Sequence, residues 1–148
     1  MSRSGPILAE PLLPSRRMAA RRHSYTIEQA NALIPQVRAV LLQLAMEQRR
    51  MDAAHAEMHR YLAGNGDPGK SAEADRLERE AADIGEGMRT LVGLLDELGV
   101  QLRDPEMGLV DFPGERDGQP VWLCWRLADP AIAHWHATDE GYASRKPW

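Results

Sequence analysis

Two runs of apolar residues, spaced alternately by three and four, occupy most of the first two thirds of this chain. The first is Ile34, Val37, Leu41, Leu44, Gln48, Met51, His55, Met58, Leu62, and the second is Leu77, Ala81, Ile84, Met88, Leu91, Leu95, Leu98. An α-helix turns once every 3.6 residues, so side chains at this spacing form one stripe. Each run is therefore a long helix with a heptad seam of the coiled-coil kind, in which Gln48 and His55 are the polar members. Between them AGNGDPGK, residues 63–70, is a turn. Two seams joined by a short turn close on one another as an antiparallel hairpin. Its register sets Met58 against Leu77, His55 against Ala81, Met51 against Ile84, Gln48 against Met88 and Leu44 against Leu91.

The helix ends carry their own signals. Thr26 is an N-cap, and Gln29 three residues on completes a capping box. Ser71 caps the second helix and Gly99 closes it. Pro35 lacks an N–H, which predicts a kink near Asn31 or a short first segment split from a long second one. Gly85 and Gly87 each weaken the second helix by about 1 kcal/mol relative to Ala. They lie beside Met51 and Gln48, which suggests a close backbone approach or a ligand there.

After Gly99 the period changes from helical to alternating. Residues 100–105 form a connector with extended character. GLVDFP at 108–113 and PVWLCWR at 120–126 are short strands around Asp117-Gly118, a type I′ hairpin turn. That turn pairs Asp111 with Cys124, Val110 with Trp125 and Phe112 with Leu123. Val110, Phe112, Val121, Leu123 and Trp125 then share one face, fit to lie on the helices. Leu109, Asp111, Trp122, Cys124 and Arg126 share the other. Asp129-Pro130 opens a short helix over 131–137, with His134, Trp135 and His136 pointing in different directions.

The expected fold is thus mainly α, of the α+β class. A long antiparallel helical hairpin (25–99) is followed by a β-hairpin and a Trp-rich C-terminal segment (100–148), in one domain over 25–148. Residues 1–24 read as a flexible basic arm, with Arg3, Arg16, Arg17, Arg21 and Arg22 against Glu10 alone. Since the whole chain carries −4, the remainder is distinctly acidic. Such a body does not suit a phosphate backbone, and nucleic acid is not an expected partner. The single cysteine rules out an internal disulfide and fits a reducing, cytoplasmic setting. No apolar run is long enough for a membrane span, and PILAEPLLP is too short and proline-broken for a signal segment.

Three blocks, YTIEQANALIPQVR, LGVQLRDPEMGLVDFP and VWLCWRLADPAIAHWHATDEGYASRKPW, resemble the DUF2203 family of uncharacterised bacterial proteins over about residues 25–148. The resemblance carries Asp111, Cys124, Arg126, His136, Gly141 and Arg145 onto the family's motif positions. Asp129 stands where the pattern has Glu, and Ser144 where it has Gly. The family implies no reaction.

Three chemistries compete for these residues. Cys124, His136 and Asp111 offer a thiolate, an imidazole and a carboxylate, suited to zinc or iron, with Asp129, Glu140 or His134 available as a fourth ligand. The same three residues have the types of a thiol triad, but no oxyanion loop accompanies them. The structural alternative is a buried Cys124, an Asp111–Arg126 ion pair and a His136 within an aromatic cluster. His55 and His59, one turn apart, form a further chelating pair, or His55 and Gln48 a polar layer that fixes register. Arg126 and Arg145 complete the candidate set. The leading expectation is a non-catalytic accessory protein whose hairpin docks a protein partner or a second copy. The alternative is a zinc or iron protein, with an enzymatic role open, that uses Asp111, Cys124 and His136.

Overall fold

A computed structural model describes residues 23–64, 67 and 71–148. The basic arm lies outside these residues except for His23 and Ser24, and so does most of the turn expected over 63–70. Helix α1 spans Ile27–Ala63 and α2 spans Ala72–Glu97. Five strands follow: β1 Gln101–Asp104, β2 Leu109–Arg116, β3 Gln119–Arg126, β4 His134–Ala137 and β5 Lys146–Pro147. They lie side by side in chain order, each antiparallel to the next.

The helix signals act as their chemistry requires. Thr26 Oγ1 accepts from the Gln29 amide at 3.1 Å, and the Gln29 side chain accepts from the Thr26 amide at 3.0 Å. Ser71 caps α2 through the amides of Glu73 and Ala74. At its other end the Gly99 amide bonds to Asp96 O and the Val100 amide to Leu95 O. This double closure needs a left-handed residue, and Gly99 supplies it with φ +71°. Pro35 does not divide α1, which runs through it as one helix.

The seam departs from its expected composition beyond Leu44. Gln48 and His55 are exposed and form no polar layer, and Ala54 is buried in place of His55. An ideal helix drifts against a seven-residue repeat, so the contact row moves to a neighbouring position over several turns. Gln48 instead donates to Asp52 within its own helix at 2.9 Å. His59 is exposed as well, so the His55–His59 pair sits on an open surface. A groove at that end is lined by His55, Met58, Leu77 and Ala81, residues of both helices. The glycines are not points of close approach. A Cβ on Gly87 would meet nothing within 4 Å, and one on Gly85 only ordinary contacts.

The β-hairpin has the expected register, with Asp111 opposite Cys124, Val110 opposite Trp125 and Phe112 opposite Leu123. Asp117 and Gly118 both have positive φ, as a type I′ turn demands. Val110, Phe112, Val121, Leu123 and Trp125 join Ile34, Val37, Leu41, Leu44, Leu91 and Leu95 in one core. Tyr25 fastens the helices to the sheet: its amide donates to Pro113 O at 2.8 Å and its hydroxyl to Leu98 O at 2.7 Å.

The segment after Asp129 is a strand rather than a helix. Ile132 is anchored by its amide to Asn31 Oδ1 at 2.9 Å, and β4 then pairs with β3. Trp135 packs against the core, while His136 lies on the opposite side of the strand. A helix would have scattered these side chains, whereas the pleat sets His134 and His136 on the face that carries Cys124.

Candidate metal centre

Three adjacent strands each place one buried polar side chain on the sheet face turned away from the helices. Asp111 comes from β2, Cys124 from β3 and His136 from β4. Asp111 faces Cys124 directly, and His136 faces Trp122, two residues before the cysteine. Strands lie about 4.8 Å apart. Side chains from β2 and β4 must therefore lean inward across β3, and they do: His136 Nε2 is 3.0 Å from Asp111 Oδ2. One donor atom from each of Asp111, Cys124 and His136 lies within 4.8 Å of the other two, and all three residues are buried.

The polarity of these contacts leaves specific needs unmet. His136 Nδ1 faces the Ala137 carbonyl at 2.9 Å, and a carbonyl only accepts, so Nδ1 carries a hydrogen. In a neutral ring Nε2 then has a lone pair, and it points at a carboxylate oxygen, another acceptor. The second carboxylate oxygen, Asp111 Oδ1, is buried with no hydrogen-bond partner. Burial pushes the Cys124 thiol up to about 11, the Asp111 charge adds to the rise, and the Arg145 guanidinium works against it.

The other expected site residues surround this trio in separate roles. Asp111 does not pair with Arg126. Arg103 takes that place, with its Nε 2.9 Å from Asp111 Oδ2 and its guanidinium stacked on Trp122 at 5.1 Å. Arg126 turns to Asp129 at 3.0 Å and donates to the Tyr142 hydroxyl at 3.1 Å. Glu140 accepts from the Ala137 amide at 3.2 Å and from Lys146 at 3.3 Å, which hold its carboxyl below the usual range. Neither Asp129 nor Glu140 nor His134 belongs to the converging donor group. Arg145 stacks on Tyr142 at 4.4 Å and lies 3.8 Å from Asp129.

Residues 138–142 border the site and leave a cavity of about 390 Å³, walled by Asp111, His136, Arg103, Thr138 and Tyr142. Arg103 and Tyr142 are the participants that the sequence reading passed over. The signal for Arg103 was available: Val100 and Leu102 pack toward the core, and alternation sends Arg103 to the other side.

Neither the curated proteins nor the solved structures include a match to this chain. Residues 23–148 match the family described as an uncharacterised conserved protein, DUF2203. The matched span holds both helices, the entire sheet and all three converging donors, and the chain belongs to the DUF2203 family.

Proposed function

We propose that this protein binds a transition metal ion, zinc before iron, through Cys124 Sγ, His136 Nε2 and an Asp111 oxygen. The observation that carries this reading is the opposition of His136 Nε2 and Asp111 Oδ2 at 3.0 Å, with Nδ1 already committed to a carbonyl. A cation held in common resolves an acceptor that faces an acceptor. The Nδ1–H to carbonyl bond is also how metal-bound histidines are commonly oriented. An imidazolium–carboxylate pair would satisfy the ring, yet it would leave Oδ1 without a partner. Thiolate, imidazole and carboxylate together suit zinc, and a zinc-bound thiol ionises outright. Three protein ligands leave one position for water or a ligand, on the side of the cavity lined by Asp111 and His136. An ion so placed would serve as a Lewis acid.

The thiol-triad reading has less behind it: burial pushes the Cys124 thiol up to about 11, away from a ready nucleophile, and no oxyanion loop accompanies the three residues. The docking reading keeps one observation in its favour: Leu42 and Met46, one turn apart on α1, are 52% and 59% exposed.

The test is metal analysis of protein made without a histidine tag and reconstituted with zinc under reducing conditions. One zinc per chain is expected, with loss in Cys124→Ser and in His136→Ala. Wild-type protein that retains no metal after desalting overturns the proposal.

A further inference from the structure

Among the described residues, two buried side-chain polar atoms have no hydrogen-bond partner: Asp111 Oδ1 and Arg145 Nη1. One accepts and the other donates, and both residues act on Cys124. A metal ion accounts for the first. It cannot account for the second, because a guanidinium N–H needs an acceptor.

Among the described residues no oxygen is within hydrogen-bond reach of Nη1, and the Cys124 sulfur that Arg145 faces is committed to the metal on this reading. The carboxylate oxygen closest to Nη1, Asp129 Oδ2, is 3.8 Å away, too far for a hydrogen bond. That carboxylate is already committed, with Oδ2 accepting from the Arg126 amide at 3.3 Å and Oδ1 from Arg126 Nε at 3.0 Å. Nor is Arg145 free to swing into water. Its side chain is only 18% exposed and lies flat on Tyr142, whose hydroxyl is held by Arg126. A buried charged donor without a hydrogen-bond acceptor costs more than a neutral one, and such groups are conventionally met by a partner.

We propose that this centre binds a small oxyanion, with one oxygen on the metal's open position and a second accepting from Arg145. The inference rests on the metal reading and narrows it to a ligand class. Charge agrees. With zinc bound, the ion and Arg103, Arg126 and Arg145 outweigh Asp111, Asp129, Asp139 and a Cys124 thiolate by one charge. Glu140, on the cavity wall, is balanced by Lys146. The cavity of about 390 Å³ suits a small ligand; the hydroxyl-bearing Thr138 and Tyr142 line it, and Arg145, not itself one of its walls, adjoins it through the Tyr142 ring on which it stacks.

The test uses the full chain loaded with cobalt(II), whose visible absorption reports changes in its coordination. Acetate and bicarbonate are titrated in, with acetamide as the neutral isostere of acetate. A saturable spectral shift is expected with an anion, at least tenfold tighter than with acetamide. Arg145→Gln should keep its cobalt and bind the anion about 10- to 100-fold more weakly, the range for losing a charged hydrogen bond, with Arg145→Lys in between. A spectrum unmoved by roughly 10 mM anion overturns the proposal while the metal reading stands. Acetamide binding as tightly as acetate does the same without any variant, should Arg145→Gln not fold. Equal anion affinity in Arg145→Gln and wild type also overturns it. Protein that takes up no cobalt overturns both readings.

Discussion

The far half of the helical hairpin and the central hairpin of the sheet bury their residues by different rules. Beyond Leu44, α1 buries Ala54 alone and leaves the rest of its length exposed or half-exposed. In β2, by contrast, every position from Leu109 to Gly114 is buried, on both faces. One face meets the helices and is apolar, as the hydrophobic effect requires. The other lies beside the C-terminal segment and presents Asp111, Cys124 and His136. Burial of an acid and an imidazole gains nothing from the hydrophobic effect and costs desolvation unless they are paired. The helical hairpin is thus a scaffold governed by periodicity. The second sheet face carries the buried polar groups on which the proposed metal site rests.

The sharpest way to break this comparison is to empty the shared core. Trp125 is fully buried, and its indole N–H donates to Asp129 O at 3.1 Å. Arg38 stacks on it at 5.1 Å and donates to Leu127 O. Trp125→Ala should cost about 3–5 kcal/mol in urea unfolding. On the proposed metal reading it should also weaken zinc binding, because Trp125 adjoins Cys124 on β3. A variant that is destabilised yet binds zinc as tightly as wild type would mean that the two sheet faces are independent.

Metal addition separates the regions more selectively. On the proposed metal reading, zinc at a hundredfold excess over its dissociation constant should stabilise the folded chain by about 2.7 kcal/mol. The increment should vanish in Cys124→Ser and persist in His55→Ala, since His55 is exposed and outside the donor trio. An increment that follows His55 instead would move the site to the helices.

How much of this was legible in the sequence follows the same division. The two helices, their caps and Gly99 were readable because local chemistry decides them. The β-hairpin register was readable because Asp117-Gly118 fixes it, and that register alone turned Asp111 and Cys124 to one face. His136 was named only through its motif. Residues 131–137 carry a helix-start signal in Asp129-Pro130, and pairing with β3 overrides it. The polar seam failed for a related reason: a strict heptad cannot say when an ordinary helix drifts off it. Arg103 and Tyr142 reach the site from distant parts of the chain, and no local pattern encodes that meeting.

Tyr25 tests the joint between the two regions with a smaller effect. Its hydroxyl donates to Leu98 O, and burial raises its pKa above the usual value near 10. A folded-state pKa above the unfolded one means that the folded chain holds this proton more tightly. The contribution is therefore complete below about pH 10 and is lost as pH rises through the folded value. Tyr25→Phe should cost about 0.5–1.5 kcal/mol at neutral pH. The gap from wild type should narrow as the buffer passes pH 10. A gap that widens there would reverse the sign and remove the hydrogen bond as its cause.

The smallest effect tests the claim that the hairpin is only scaffold. Gly87 sits inside α2, and a methyl group added there would meet nothing within 4 Å. Glycine in a helix carries extra freedom in the unfolded chain and offers no side chain in return. Gly87→Ala should therefore raise stability by about 0.4–1 kcal/mol, read as a higher urea midpoint at unchanged slope. Zinc stoichiometry should not change. If the alanine instead lowers stability, α2 makes a close contact at Gly87 in solution. The hairpin would then have a partner on that face, and the division between scaffold and site would have to be redrawn.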